Sequence, residues 1–184
     1  WEGIATRNAT VTNNTVISPV STGIATTAGT LNIVVANNTV RNSGALGILI
    51  QGKLHSVTGN NVTGSTSNGI SIQSDLSTVS GNVSNNNGRG FEVAGDGNTI
   101  AANLATDTRG TKIQDYGLIL LGGADDNVFG ANKLDGNLNA NFTDNGLRNG
   151  WNADLKMQPI AATAGVQNVD SPLLISASTF WNGS

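Results

Sequence analysis

The stretch "VANNTVRNSGALGILIQG", residues 35–52, is nearly repeated by "VTGNNVTGSTSNGISIQS", residues 57–74. Each starts on Val, reaches Asn three residues later and closes on Gly-Ile-x-Ile-Gln. A self-similar period of this kind decides the architecture before any local propensity is weighed. Following the Gly-apolar pair along the chain gives Gly3-Ile4, Gly23-Ile24, Gly47-Ile48, Gly69-Ile70, Gly90-Phe91, Gly117-Leu118 and Gly146-Leu147. The spacings between the apolar members are 20, 24, 22, 21, 27 and 29 residues. A second column, Val11, Val35, Val57, Val79, Ile100 and Phe129, keeps step with it. An Asn follows each member by three residues, at Asn14, Asn38, Asn60, Asn82, Asn103 and Asn132. A third apolar column is expected at Val16, Val40, Val62, Val83, Leu104 and Leu134.

Within each repeat the apolar residues alternate with period two, as in Ile48-Leu49-Ile50 and Ile70-Ser71-Ile72, between Gly, Asn and Ser. No segment sustains a helical period. Short strands and turns repeating every 20 to 30 residues predict an all-β, right-handed parallel β-helix of about six coils. One coil cannot bury its apolar side alone; stacking at about 4.8 Å per coil buries a continuous column. The Asn column predicts a ladder of amides hydrogen-bonded from coil to coil. The coils are expected over residues 1–149. A non-repeating cap or oligomerisation segment is expected over 150–184, which holds two of the three Trp and the single Met. The first Gly-Ile pair stands only three residues from Trp1, so the chain is expected to begin in mid-coil, as part of a longer protein or stacked on something upstream.

Composition narrows the function. The 184 residues include 26 Asn and 24 Gly; only 11% are charged and 4% aromatic. The net charge of −3 offers no basic face to phosphate, so nucleic acid is not an expected partner. The absence of Cys excludes a disulfide framework and Cys-ligated zinc. No stretch is long and apolar enough to suggest membrane insertion. Asn-X-Ser/Thr sequons, among them those at Asn8, Asn13, Asn37, Asn61, Asn82 and Asn141, follow from the same composition and are given little weight.

The pattern "NNTV…GILI…NNVTG…GISI…GNV" resembles the pectin-lyase-like superfamily of right-handed parallel β-helices, over roughly residues 3–149. That superfamily includes pectate lyases, epimerases, galacturonan hydrolases, periplasmic NosD-type proteins and phage tailspikes. The resemblance implies a polysaccharide laid along a stacked-strand face. The leading expectation is a tailspike-like receptor-binding or depolymerase domain, homotrimeric, on a virion or outside the cell. The alternatives are a secreted bacterial lyase, epimerase or glycoside hydrolase, and a structural or adhesive rod without catalysis. Clustered Asp with a nearby Arg on one strand, the lyase signature, is not seen.

Candidate chemistry lies where the repeats disagree. In the Gly-Ile strands the residues between and after the Ile positions are expected to face outward: Ala25 and Thr27, Leu49 and Gln51, Ser71 and Gln73, Glu92 and Ala94, Ile119 and Leu121. Glu92 is the one carboxylate of that strip, and Asp75 and Asp96 follow two residues beyond it. Stacking is expected to bring Glu92, Asp75 and Asp96 together as catalytic acid and base. The same carboxylates could take Ca²⁺ or serve as ordinary turn residues; no residue set is assigned to a metal and no other cofactor is expected. Gln51, Lys53 and Gln73 are candidate substrate contacts. The enlarged coil "TDTRGTKIQDYG" adds Arg109 and Lys112, suited to a sugar carboxylate, and Tyr116, suited to a pyranose face. The sole His, His55, has no nucleophile beside it and reads as a turn residue.

Overall fold

The computed structural model describes residues 8–151, the last of these by its backbone alone. The expected terminal segment over 150–184 therefore lies almost wholly outside the described residues, as do Trp1 and the Gly3-Ile4 pair. The described chain holds strands, turns and bends and no helix. Nineteen short strands form three sheets of seven, six and six strands, and each strand pairs in parallel with its equivalent one coil away. The result is a parallel β-solenoid of about six turns with a three-sided section.

The first sheet stacks Val11, Val35, Val57, Val79, Ile100 and Phe129 in register. The third stacks Ile24, Ile48, Ile70, Phe91, Leu118 and Phe142. These side chains meet in one hydrophobic core along the axis. The Gly before Ile48 is required by that core. A Cβ on Gly47 would stand 2.2 Å from Val62 Cγ1 and 2.5 Å from the Gly69 carbonyl oxygen. The chain swings in so close there that no side chain fits, which gives the Gly-Ile pair its physical meaning.

Each corner is built from two residues. The first takes a left-handed φ: Asn13, Asn37, Gly59, Gly81, Ala102 and Ala131 after the first sheet, at 50° to 65°. The second turns its side chain inward as a rung. Asn is tolerant of left-handed backbone and rich in hydrogen-bonding groups, so it serves in both places. Leu54 and Leu76 occupy the left-handed position at another corner, where a branched aliphatic carries strain of about 1 kcal/mol.

The Asn ladder runs unbroken from Asn14 to Asn132. Asn38, Asn60, Asn82, Asn103 and Asn132 each accept the backbone N–H of the equivalent Asn one coil earlier through Oδ1, at 2.9–3.0 Å. Their amide groups donate back to carbonyls of the first sheet, for example Asn82 Nδ2 to the Val57 oxygen at 2.8 Å. A second ladder joins the third sheet to the first. Ile33 N–H donates to His55 Nδ1, His55 N–H to Ser77 Oγ, Ser77 N–H to Asn98 Oδ1, and Asn98 N–H to Asn127 Oδ1. His55 is thus a rung, 2% exposed, with its ring standing where other coils place Asn or Ser.

Three sequence expectations are corrected by this geometry. Val83 and Leu104 pair with each other on the outer side of the second sheet, half-buried, while Ser84 and Ala105, both fully buried, take the inward positions. The ladder Asn fixes the register, and the inward residue is always two positions beyond it; Val83 and Leu104 stand one position beyond, and a one-residue shift reverses the face. Ser84 satisfies its hydroxyl by donating to the Gly90 oxygen at 2.6 Å. Gly146-Leu147 is not a strand pair: Leu147 is exposed at a corner, and Phe142 occupies the third-sheet column opposite Leu118.

Candidate functional site

The third sheet carries the widest strands, Ile48–Lys53, Asn68–Asp75, Arg89–Val93 and Tyr116–Leu120. Its register aligns Leu49, Ser71, Glu92 and Ile119 in one outer column. The expectation that this column faces solvent is corrected: Ser71 is 1% exposed, Ile119 6% and Glu92 9%. The neighbouring column is more open. There Gln51 Nε2 donates to Gln73 Oε1 at 3.0 Å, an amide pair on the surface, and Ala94 is exposed.

Glu92 does not join Asp75 and Asp96. Its register partner is Ser71, and Asp75 lies four residues further along the same strand, roughly 13 Å away at about 3.3 Å per residue. Glu92 instead pairs with Arg89, whose guanidinium also stands over the Tyr116 ring, 5.9 Å from its centre. Arg89, Glu92 and Tyr116 form a compact group on adjacent coils. Arg89 carries no motif that would single it out in the sequence; its role comes from lying one coil before Tyr116.

Asp75 and Asp96 belong to a ladder of carboxylates at the corner between the third and first sheets. Asp75 Oδ1 accepts the Asp96 N–H at 3.1 Å, Asp96 Oδ1 the Asp125 N–H at 2.9 Å, and Asp125 Oδ1 the Leu147 N–H at 2.8 Å. Lys53 pairs with Asp75 at 3.1 Å. The Asp96 N–H, with help from Lys53, holds the Asp75 carboxyl below the usual carboxylate range. A general acid must keep its proton near neutral pH, and Asp75 is pushed the other way. Arg148 similarly clasps Asp126 and Asp125, lowering Asp126 and raising Arg148.

The enlarged loop is organised around Asp107, which is buried. Its carboxylate accepts the Arg109 N–H, Nε and Nη2 and the Ile113 and Gln114 N–H groups, at 2.7–3.0 Å. The Arg109 guanidinium, above all, and these amides hold the carboxyl far below its ordinary value. Lys112 donates to the Asp107 carbonyl. Arg109 and Lys112 thus fasten the loop to itself, and the loop returns through Gln114, which bonds Asn87 and Asn137 as a rung. Asp107 was legible only as one loop charge among several, because its acceptors are filled by residues up to seven positions away.

His55 is held neutral. The Ile33 N–H donates to Nδ1 at 3.0 Å, so Nε2 bears the proton and donates to the Gln51 oxygen at 2.8 Å. Burial pushes its pKa below the ordinary value.

The family described as periplasmic copper-binding protein (NosD) matches residues 2–164 of the chain. The chain belongs to the NosD family. No curated protein matches it. Among solved structures it is similar to the Dettilon tailspike protein gp208, at 24% identity and a TM-score of 0.62, over 78% of this chain and 32% of that one. The chain spans about a third of the tailspike's length, and at that identity the likeness speaks for the fold.

The family description raises the question of copper. Copper sites draw on thiolate, thioether and imidazole ligands. This NosD-family chain has no Cys, one His and one Met. Both ring nitrogens of the His are committed inside the solenoid. Among the described residues no group of three or more His, Cys, Asp or Glu is placed to hold a metal. The donor set of this chain does not fit a copper ion.

Proposed function

We propose that this NosD-family solenoid is a polysaccharide-recognising domain, tailspike-like in use, that lays a glycan along its third sheet. The observation that carries the reading is the Arg89 guanidinium held over Tyr116 beside Glu92, on the same sheet as the Gln51–Gln73 amide pair. An aromatic face suits the apolar side of a pyranose, and amides suit its hydroxyls. Recognition without cleavage is favoured over hydrolysis. Glu92 is separated from Asp75 by more than the roughly 6.5–9.5 Å of an inverting pair, and the Asp75 carboxyl is held below the usual carboxylate range. The domain is proposed to act outside the cell or on a virion, as a homotrimer.

Retention of the purified chain on a panel of immobilised polysaccharides tests the reading. Binding to at least one glycan is expected, weakened about tenfold by Tyr116→Ala with the circular dichroism spectrum unchanged; tenfold corresponds to about 1.4 kcal/mol. Failure to bind any member of the panel leaves a structural rod, the reading that the self-satisfied loop around Asp107 also favours. Light scattering that returns a strict monomer overturns the trimer.

A further inference from the structure

Resting on the glycan reading, we infer that the third-sheet face selects neutral polysaccharides and rejects uronate polymers. The charges around the face decide this. Four of the cations beside it are each paired with a carboxylate: Lys53 with Asp75, Arg89 with Glu92, Arg109 with Asp107, and Arg148 with Asp125 and Asp126. Lys112 is turned onto the Asp107 carbonyl. Apart from Lys112, the cations that form no ion pair among the described residues, Arg41 and Lys133, lie in strands of the second sheet, on another side of the solenoid.

The acids are distributed in the opposite sense. Asp115 immediately precedes the Tyr116–Leu120 strand, Asp144 ends the Ala140–Asp144 strand, and Asp96 lies at the corner beyond Arg89–Val93. None of the three forms an ion pair among the described residues; each accepts a hydrogen bond, and Asp96 lies near enough to Arg148 to help raise it. A uronate chain would bring one negative charge per residue onto a face whose carboxylates outnumber its cations. Within a Debye length of about 8 Å at physiological salt that repulsion is only partly screened. A neutral glycan meets no such barrier and needs only what the face offers: an aromatic ring, two amides and the outer edge of an ion pair whose charges cancel.

The test is affinity electrophoresis of the purified chain through gels containing neutral polymers (dextran, galactomannan, arabinan) or uronate polymers (polygalacturonate, alginate), at low and at physiological ionic strength. Retardation by a neutral polymer is expected, changing less than twofold with salt. Uronate polymers should retard the chain at least tenfold less at low salt, with the gap narrowing as salt rises. Equal or stronger retardation by a uronate polymer overturns the selectivity and leaves the glycan reading standing. Retardation by neither class overturns the glycan reading, and the selectivity falls with it.

Discussion

Replacing Asn82 by Ala tests the claim that amide ladders hold the coils together. Asn82 Oδ1 accepts the Asn60 N–H and Nδ2, both at 2.9 Å. Its Nδ2 donates to the Val57 oxygen at 2.8 Å and to Asn103 Oδ1 at 3.0 Å. In the variant Asn60 Nδ2 keeps the Val35 oxygen, and Asn103 Oδ1 keeps the backbone N–H of residue 82. The Asn60 N–H is left buried with no acceptor, which costs about 1–3 kcal/mol; four further bonds, the 3.2 Å one from Asn82 Nδ2 to the Ser80 oxygen among them, go at about 0.5–1.5 kcal/mol each. Even the lower ends of these ranges add to about 3 kcal/mol. Asn14 stands at the other extreme. Its amide donates to Thr12 and Asn38, and its removal strands no described donor, so Asn14→Ala should cost about 1 kcal/mol. Urea unfolding followed by far-UV circular dichroism, with the slope compared among variants, measures both. Asn82→Asp keeps the volume and the acceptor but removes the donor, and is expected to cost at least as much as Ala at pH 7. Equal, small losses at Asn82 and Asn14 would refute the ladder as a source of stability.

Other consequences can be checked in the same assay. Gly47→Ala should cost about 2–3 kcal/mol by overpacking against Val62 Cγ1 and the Gly69 backbone, while Gly110→Ala, with open space around it, should be neutral. His55 is buried neutral with a lowered pKa, so the unfolded chain takes up its proton first; stability is full above about pH 6.5 and declines as pH falls below it. Unfolding at pH 7.5 and pH 5 should show the loss, and His55→Asn, which restores the rung used in other coils, should flatten it. Titration with Cu(I) against bicinchoninate should show no competing site, since the chain has neither two thiolates nor a free imidazole; stoichiometric copper capture would overturn that reading of the donor set.

The solenoid was legible because its determinants repeat. A Gly demanded by close approach at residue 47, an inward Ile at 48 and a rung Asn at 38 recur at Gly69, Ile70 and Asn60, and each reads the same way in isolation. Errors arose where hydrophobicity and register disagreed. Val83 is more apolar than Ser84, yet Ser84 is the buried one, because the ladder Asn one residue earlier sets the phase of the strand. Gly146-Leu147 has the composition of a core pair and the position of a corner.

The charged residues followed a different logic. By itself the sequence determined the repeat, the all-β class, the ladder column and the enlarged loop, since these rest on periods within about 30 residues. Only the tertiary structure decided which charges are free. Lys53 meets Asp75 22 residues on, and Arg148 meets Asp126 22 residues back. Glu92 and Asp75 share a sheet but not a site, because the coil-to-coil register places Glu92 beside Ser71. Which side chains face each other across a solenoid depends on how the loop in each coil sets the register of the next, and the length of a loop in sequence does not state where its side chains are spent.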